Sequence, residues 1–176
     1  MRIWPNVAVA GVALAAFAGP ADAKDTLPCP SGLVCATVPA TVTDFIKSID
    51  PKAVVSKDSK GLPKIDLSAA YKYSIYFRDC ENNTQCAAIT FVSDFTPDPA
   101  IDLAFVNKWN RDFRVPKAYL GDDGALNLEF EVSTVGGITQ ANLRDVKSWF
   151  ESGLGDFGGF YDKQSTARKA ATPAKK

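Results

Sequence analysis

Between residues 71 and 95 the chain changes side-chain polarity at almost every second position, and this period of two is the strongest constraint on its fold. Tyr71, Tyr73, Ile75 and Phe77 alternate with Lys72, Ser74, Tyr76 and Arg78. Successive side chains of an extended chain point to opposite faces, so the segment is predicted to be a strand with one buried and one wetter face. Residues 86–95 repeat the pattern, with Ala87, Ile89 and Phe91 on one side, and the short polar stretch DCENNTQ between the two predicts a hairpin loop. A second hairpin is predicted around Asp122-Asp123-Gly124, joining residues 113–120 to 125–132. There Leu126, Leu128, Phe130 and Val132 alternate with Asn127, Glu129 and Glu131. Two weaker strand candidates, residues 53–55 and 64–68, precede these.

Helical spacing takes over elsewhere. Val42, Phe45, Ile46 and Ile49 fall at i, i+3, i+4 and i+7, giving a first helix from about Thr41, with Thr41 and Asp44 as a capping-box-like start and Pro51 as its stop. A central helix is predicted to begin at Thr96-Pro97-Asp98-Pro99, capped by Asp98, and to bury Ile101, Ala104, Phe105, Val106 and Trp109. A last helix from about Thr139 places Leu143, Val146, Phe150, Leu154 and Phe157 on one stripe, with Gly153 and Gly155 expected to fray its end. The order is helix, three to four strands, helix, two-stranded hairpin, helix, which is an α+β domain on a meandering antiparallel sheet.

The ends read differently from the middle. Residues 1–23 have the form of an export signal: Arg2, a short apolar run from Val7 to Ala18, and the cleavage pattern Ala21-Asp22-Ala23. The run is shorter than the roughly 20 residues a membrane-crossing helix needs, so the expectation is a periplasmic or secreted protein with no stable membrane insertion after cleavage. Residues 163–176 carry five basic residues and no acidic one, while the remainder of the mature chain has an acidic excess. That balance argues against a nucleic-acid partner, whose phosphates call for clustered Lys and Arg on the folded body. Residues 161–176 are expected to form a disordered basic tail.

Four cysteines remain after export, and an oxidising compartment favours disulfides. Three connectivities are open; the two equal C-x5-C spacings favour Cys29 with Cys35 and Cys80 with Cys86, each worth about 2.4 kcal/mol in the chain-entropy picture. The same spacing is too long for the usual zinc ligand pairs, and the chain has no histidine to complete such a site or to serve as a general base. Neither a cofactor nor a catalytic residue is predicted. Glu129 and Glu131, about 7 Å apart on one strand face by strand rise, are the only arrangement resembling paired acid/base groups and read more simply as a solvated face. Asp122 and Asp123 read as turn chemistry.

The candidate binding residues are Asn107, Asn110 and Tyr76. The two asparagines lie one helical turn apart and can present amide groups to a polar ligand; the competing expectation is that they close the helix end and satisfy the following strand. Tyr76 falls on the wetter face of its strand, where an aromatic can anchor a protein or peptide partner. Pairing along a sheet edge, with an extended peptide or with a second copy as a homodimer, is the contact mode such a sheet offers.

Taken together, CENNTQCAAITFVSDF, VNKWN, RVPKAYL, GDDGALNLEFEV and LRDVKSWF resemble the YbjN-domain family, described as regulators of sensory transduction, from about Thr41 to Phe157. The resemblance implies a fold similar to type III secretion chaperones, with the same order of elements, and brings no catalytic or ligand-binding residues with it. The chain then divides into a signal at 1–23, a disulfide-pinned leading segment at 24–40, a YbjN-like domain at 41–160 and the tail at 161–176. The function expected is that of an exported, non-enzymatic binding or regulatory domain. A carboxylate-dependent hydrolase and a structural envelope protein are the alternatives.

Overall fold

The computed structural model describes residues 28–81, 84–99 and 101–171. The expected export signal, the tip of the first hairpin loop and residues 172–176 lie outside them. The elements in chain order are β1 (Leu33–Val34), α1 (Pro39–Ile49), β2 (Val54–Lys57), β3 (Pro63–Ser68), β4 (Lys72–Arg78), β5 (Ala88–Phe95), α2 (Leu103–Asp112), β6 (Lys117–Leu120), β7 (Leu126–Ser133), β8 (Ile138–Thr139) and α3 (Gln140–Ala171). Six strands form one antiparallel sheet in the order β2-β3-β4-β5-β7-β6, and β1 pairs with β8 in a small separate ribbon.

The sheet is a simple meander only as far as β5. Helix α2 then carries the chain past the next position, and the β6–β7 hairpin folds back so that β7 lies between β5 and β6. Strand length explains the choice. β7 has eight residues of regular alternation and pairs with all eight of β5, whereas the four-residue β6 can cover only half of that ladder and takes the edge.

One face of the sheet and the three helices enclose the core. Ile65, Ile75, Phe77, Ile89, Phe91 and Leu128, all inward-pointing members of the alternating strands, are almost completely buried. Val42, Phe45 and Ile46 of α1, Phe105, Val106 and Trp109 of α2, and Leu143, Phe150, Leu154 and Phe157 of α3 close over them. Many of the ring contacts are edge-to-face, including Tyr71 with Phe157, Phe105 with Phe160 and Trp109 with Phe157. Such pairs are worth about 0.5–1.5 kcal/mol beyond the area they bury.

Four local expectations are corrected. Helix α1 starts at Pro39, not Thr41, and Val38 at its N-cap makes no side-chain cap bond; the Thr41 hydroxyl instead accepts from the Cys35 amide at 2.9 Å, fastening the leading segment to the helix. Helix α2 starts at Leu103, because Asp102 caps it by accepting from the Phe105 amide at 2.8 Å, and Asp98 accepts the hydroxyl of Tyr161 on α3. The second hairpin's first strand begins at Lys117, since Val115 and the cis-Pro116 form a joint rather than a ladder. Finally, α3 does not fray at its glycines. It runs for 32 residues, about 48 Å at the usual helical rise, so residues 161–171 of the expected disordered tail are helical.

Gly153 explains that continuity. A Cβ built there would lie 2.4 Å from Pro116 Cδ and 2.5 Å from the Val115 carbonyl oxygen, so only a residue without a side chain lets α3 lie flush against the joint. Gly158 plays the same part against the Tyr71 hydroxyl, 2.9 Å from its built Cβ. Gly153→Ala should therefore lower the urea unfolding midpoint, with overpacking costing about 1–3 kcal/mol and outweighing the roughly 1 kcal/mol gain in helix propensity. A variant as stable as the parent chain would disprove the close-packing role.

Candidate interaction face

The residues that alternate with the core build the opposite, uncovered face of the sheet. β3 contributes Lys64 and Asp66, β4 Ser74, Tyr76 and Arg78, β5 Thr90 and Val92, β7 Glu129 and Glu131, and β6 Lys117 and Tyr119. Register places Lys64, Tyr76, Thr90 and Glu131 in one row across the strands, with Asp66, Ser74, Val92, Glu129 and Lys117 in the next.

These side chains hold one another. Asp66 accepts from Ser74 at 2.7 Å and from Ser56 at 2.8 Å, and pairs with Lys64 at 2.9 Å. Burial works against its charge, but the three donors outweigh burial and hold the carboxyl below its ordinary value. The Lys64 ammonium, hydrogen-bonded to Asp66, is correspondingly raised. Arg78 and Lys64 both stand over the Tyr76 ring, at 5.0 and 6.0 Å from its centroid. Arg78 donates to Thr90 at 3.3 Å, and Thr90 donates to Glu131 at 3.2 Å. On the far side, burial and a hydrogen bond to Glu129 raise the Tyr119 phenol, and Lys117 lies 5.4 Å from its ring. The result is a half-exposed tyrosine with two cations over its ring, and a second tyrosine three strands away on the β6 edge. Such a surface can recognise a partner, because its aromatic area is already immobilised and loses little freedom on contact. Glu129 and Glu131 are engaged with Tyr119 and Thr90, respectively.

The asparagines are placed elsewhere. Asn110 donates to the Ala118 carbonyl at 2.9 Å and accepts from the Ala118 amide at 2.8 Å. Ala118 lies on β6, so the amide satisfies both backbone groups of a residue on the outer edge of the sheet and blocks further strand addition there. Asn107, one turn earlier on α2, is exposed. The structure therefore does not gather Asn107, Asn110 and Tyr76 into one site. Cys29 is bonded to Cys35 beside the β1–β8 ribbon, and Cys80 to Cys86 across the base of the β4–β5 hairpin.

Sequence reasoning missed a polar cluster on the helix side. Tyr73 donates to Glu151 at 2.8 Å, Glu151 pairs with Lys147 at 2.8 Å, and Lys147 reaches Asp50 at 3.4 Å. Asp50 and Tyr73 also line an open cavity of about 480 Å³. The one available signal was Tyr73 itself, an inward-facing tyrosine whose hydroxyl requires a partner; Lys147 and Glu151 at i, i+4 look like an ordinary surface pair. Among the described residues no group of three or more Cys, Asp or Glu side chains is arranged to hold a metal ion, and no helix is long and apolar enough to cross a membrane.

Two measurements check these assignments. Asn110→Ala should cost about 1–3 kcal/mol of stability by leaving the Ala118 amide and carbonyl without their partners, whereas Asn107→Ala should leave the unfolding midpoint unchanged; equal effects would refute the edge-closing role. Burial first, and then the bond to Glu151, raise the Tyr73 phenol above its ordinary value. A raised folded-state value means that its contribution is intact below the unfolded value of about 10 and is lost as pH climbs past it. Tyr73→Phe should accordingly unfold less steeply than the parent between neutral and strongly alkaline pH. Identical alkaline profiles would contradict the assignment.

Comparison with known proteins places this geometry. A crystal structure described as "YbjN, a putative transcription regulator from E. coli" superposes with a TM-score of 0.50 at 16% sequence identity, covering 65% of this chain and 83% of that one. At that identity the likeness concerns the fold: three helices and antiparallel sheet. A search of curated proteins returns no match. Residues 39–158 match the family model YbjN, described as "Putative bacterial sensory transduction regulator". That span takes in α1 through most of α3, and by it the chain belongs to the YbjN family.

Proposed function

We propose that this chain is an exported, non-enzymatic regulatory domain of the YbjN type that acts by binding a protein or peptide on the open face of its sheet. The observation that carries the reading is Tyr76, with Lys64 and Arg78 over its ring on a face no helix covers. An immobilised aromatic ringed by charges is the composition of a contact hot spot. The family description, a regulator, agrees with a domain whose work is contact. The β2 edge, where Val54 is 59% exposed, offers an extended peptide a place to add a strand next to this face.

Export rests on the sequence and on covalent chemistry. The Ala21-Asp22-Ala23 pattern supplies a cleavage site, and two short-range disulfides suit an oxidising compartment such as the periplasm. A hydrolase reading lacks support of this kind, since Glu129 and Glu131 are engaged with neighbouring side chains on an open face instead of converging on a substrate cleft.

A photo-crosslinking amino acid placed at Tyr76 in intact cells should join the protein to a discrete partner, while the same group at Asn142, on the opposite side of the domain, should not. Loss of the Tyr76 adduct on Arg78→Glu would tie it to this face, and an adduct-free Tyr76 position would overturn the proposal. Intact-mass measurement of the protein from the envelope fraction should give a chain beginning at Lys24; an unprocessed cytoplasmic chain would overturn export.

A further inference from the structure

Among the described residues, two that are not glycine have a left-handed backbone, Asp79 (φ 51°) and Gln85 (φ 49°). Each immediately precedes a cysteine of the same bridge, Cys80–Cys86. A side chain makes that conformation unfavourable, for Gln more than for Asp, whose short polar group tolerates it. The Cys29–Cys35 bridge spans the same sequence separation of six, so the two closures restrict the unfolded chain alike. Its left-handed position is Gly32 (φ 80°), which has no Cβ to oppose it. The two bridges therefore differ in what the adjoining backbone gains when the bond opens.

Exposure does not separate them, because Cys29 and Cys80 are half-buried and Cys35 and Cys86 are buried. Cys80, however, lines an open cavity of about 360 Å³ together with Lys60 of the β2–β3 turn, Arg78 and Asp79. That cavity gives a thiolate a way to Cys80 Sγ. Besides the bridge, the loop is closed by the Thr84 amide on the Glu81 carbonyl at 2.8 Å and by the Ala87 amide on the Arg78 carbonyl at 3.0 Å. The second of these bonds lies at the end of the β4–β5 ladder, on the residue whose guanidinium stands over Tyr76 and donates to Thr90.

We infer that Cys80–Cys86 is a site of thiol–disulfide exchange, opened at Cys80 by a dithiol, and that its opening loosens the hold on Arg78. The first thiolate of the dithiol attacks Cys80 Sγ. The S–S bond breaks, its electron pair leaves on Cys86 Sγ, and that sulfur takes up a proton. The second thiolate then attacks the dithiol's own sulfur in the mixed disulfide and releases Cys80 as a thiolate, which is protonated in turn. The dithiol becomes a disulfide as the protein's bridge becomes two thiols, with two electrons transferred. In the opened loop Asp79 and Gln85 are free to return to negative φ, a release that Cys29–Cys35 does not offer. Any effect on partner binding rests on the reading of the Tyr76 face proposed above; the exchange itself does not.

Equilibrating the purified chain with graded dithiothreitol, then alkylating the free thiols and mapping the peptides by mass, tests the site. Cys80–Cys86 should open at a ratio of reduced to oxidised dithiothreitol about tenfold or more below that needed for Cys29–Cys35. Brief exposure to glutathione should leave its mixed disulfide on Cys80. Gln85→Gly, which removes the backbone penalty, should make Cys80–Cys86 several-fold harder to reduce and leave Cys29–Cys35 where it was. Hydrogen exchange at the Ala87 amide should quicken about tenfold or more once the bridge is open, while the Leu128 amide keeps its rate. Earlier opening of Cys29–Cys35, a glutathione adduct on Cys86, or a Gln85→Gly bridge no harder to reduce would overturn the exchange site. An Ala87 amide that exchanges equally fast in both states would overturn the loosening. None of these readouts needs a partner, so a Tyr76 position that forms no adduct sinks the binding reading alone.

Discussion

The hydrogen bond from the Trp109 indole to the Pro116 carbonyl, 2.8 Å long and wholly buried, is the joint on which this domain turns. Trp109 lies at the end of α2 and Pro116 just ahead of β6, so the bond sets where the helix stops and the edge strand starts. Phe113 between them stacks on the indole, with ring centroids 4.0 Å apart. Gly153 then allows α3 to settle against Val115 and Pro116, and Phe157 and Phe160 meet the other aspects of the same indole. Two helices and the second hairpin are thus positioned from one side chain. The buried N–H has its partner, which keeps the cost of burying an indole low.

With the helices assigned to one side, the sheet is left with two unlike surfaces and two unlike edges. The covered surface is aromatic and aliphatic; the open one is a lattice of charges and hydroxyls around Tyr76 and Tyr119. One edge, β6, is closed by Asn110, while the other, β2, exposes two valines. The chain's membership of the YbjN family rests on its match over residues 39–158 and is separate from what either surface contacts. The polar cluster of Tyr73, Glu151, Lys147 and Asp50 ties α3 and the end of α1 to β4 from the covered side. It gives the domain a partly buried ion-pair network centred on Lys147.

Much of this was readable from the chain, and the rest was unreadable for identifiable reasons. Period two along β4 and β7 separated buried from wetter faces, because it is a property of the local backbone. β5 alternates less, since at the middle of the sheet Thr90 and Val92 are buried along with Ile89 and Phe91, and on α2 Ala104, expected in the core, is exposed. Helix starts were misplaced at Thr41 and Asp98, since several residues near each start can cap equally well and the tertiary contacts chose among them: Thr41 went to Cys35 and Asp98 to Tyr161. Gly153 was read as a helix breaker because its local propensity is poor. Its purpose lies 37 positions away in sequence, at Pro116.

What the sequence determined by itself was the alternation of strands and helices, the α+β class and the family; it favoured the short-range cysteine pairing among three, and the structure has that pairing. Each depends on residues close together in the chain or on a pattern spread along all of it. Only the tertiary structure decided that β7 would displace β6 from the neighbourhood of β5, that Asn110 would close an edge, that Tyr73 would find a carboxylate on α3, and that α3 would run on past its glycines. Those outcomes depend on which distant groups come within hydrogen-bonding or van der Waals reach. Such distances are set by packing the whole chain at once and leave no local trace in the order of residues.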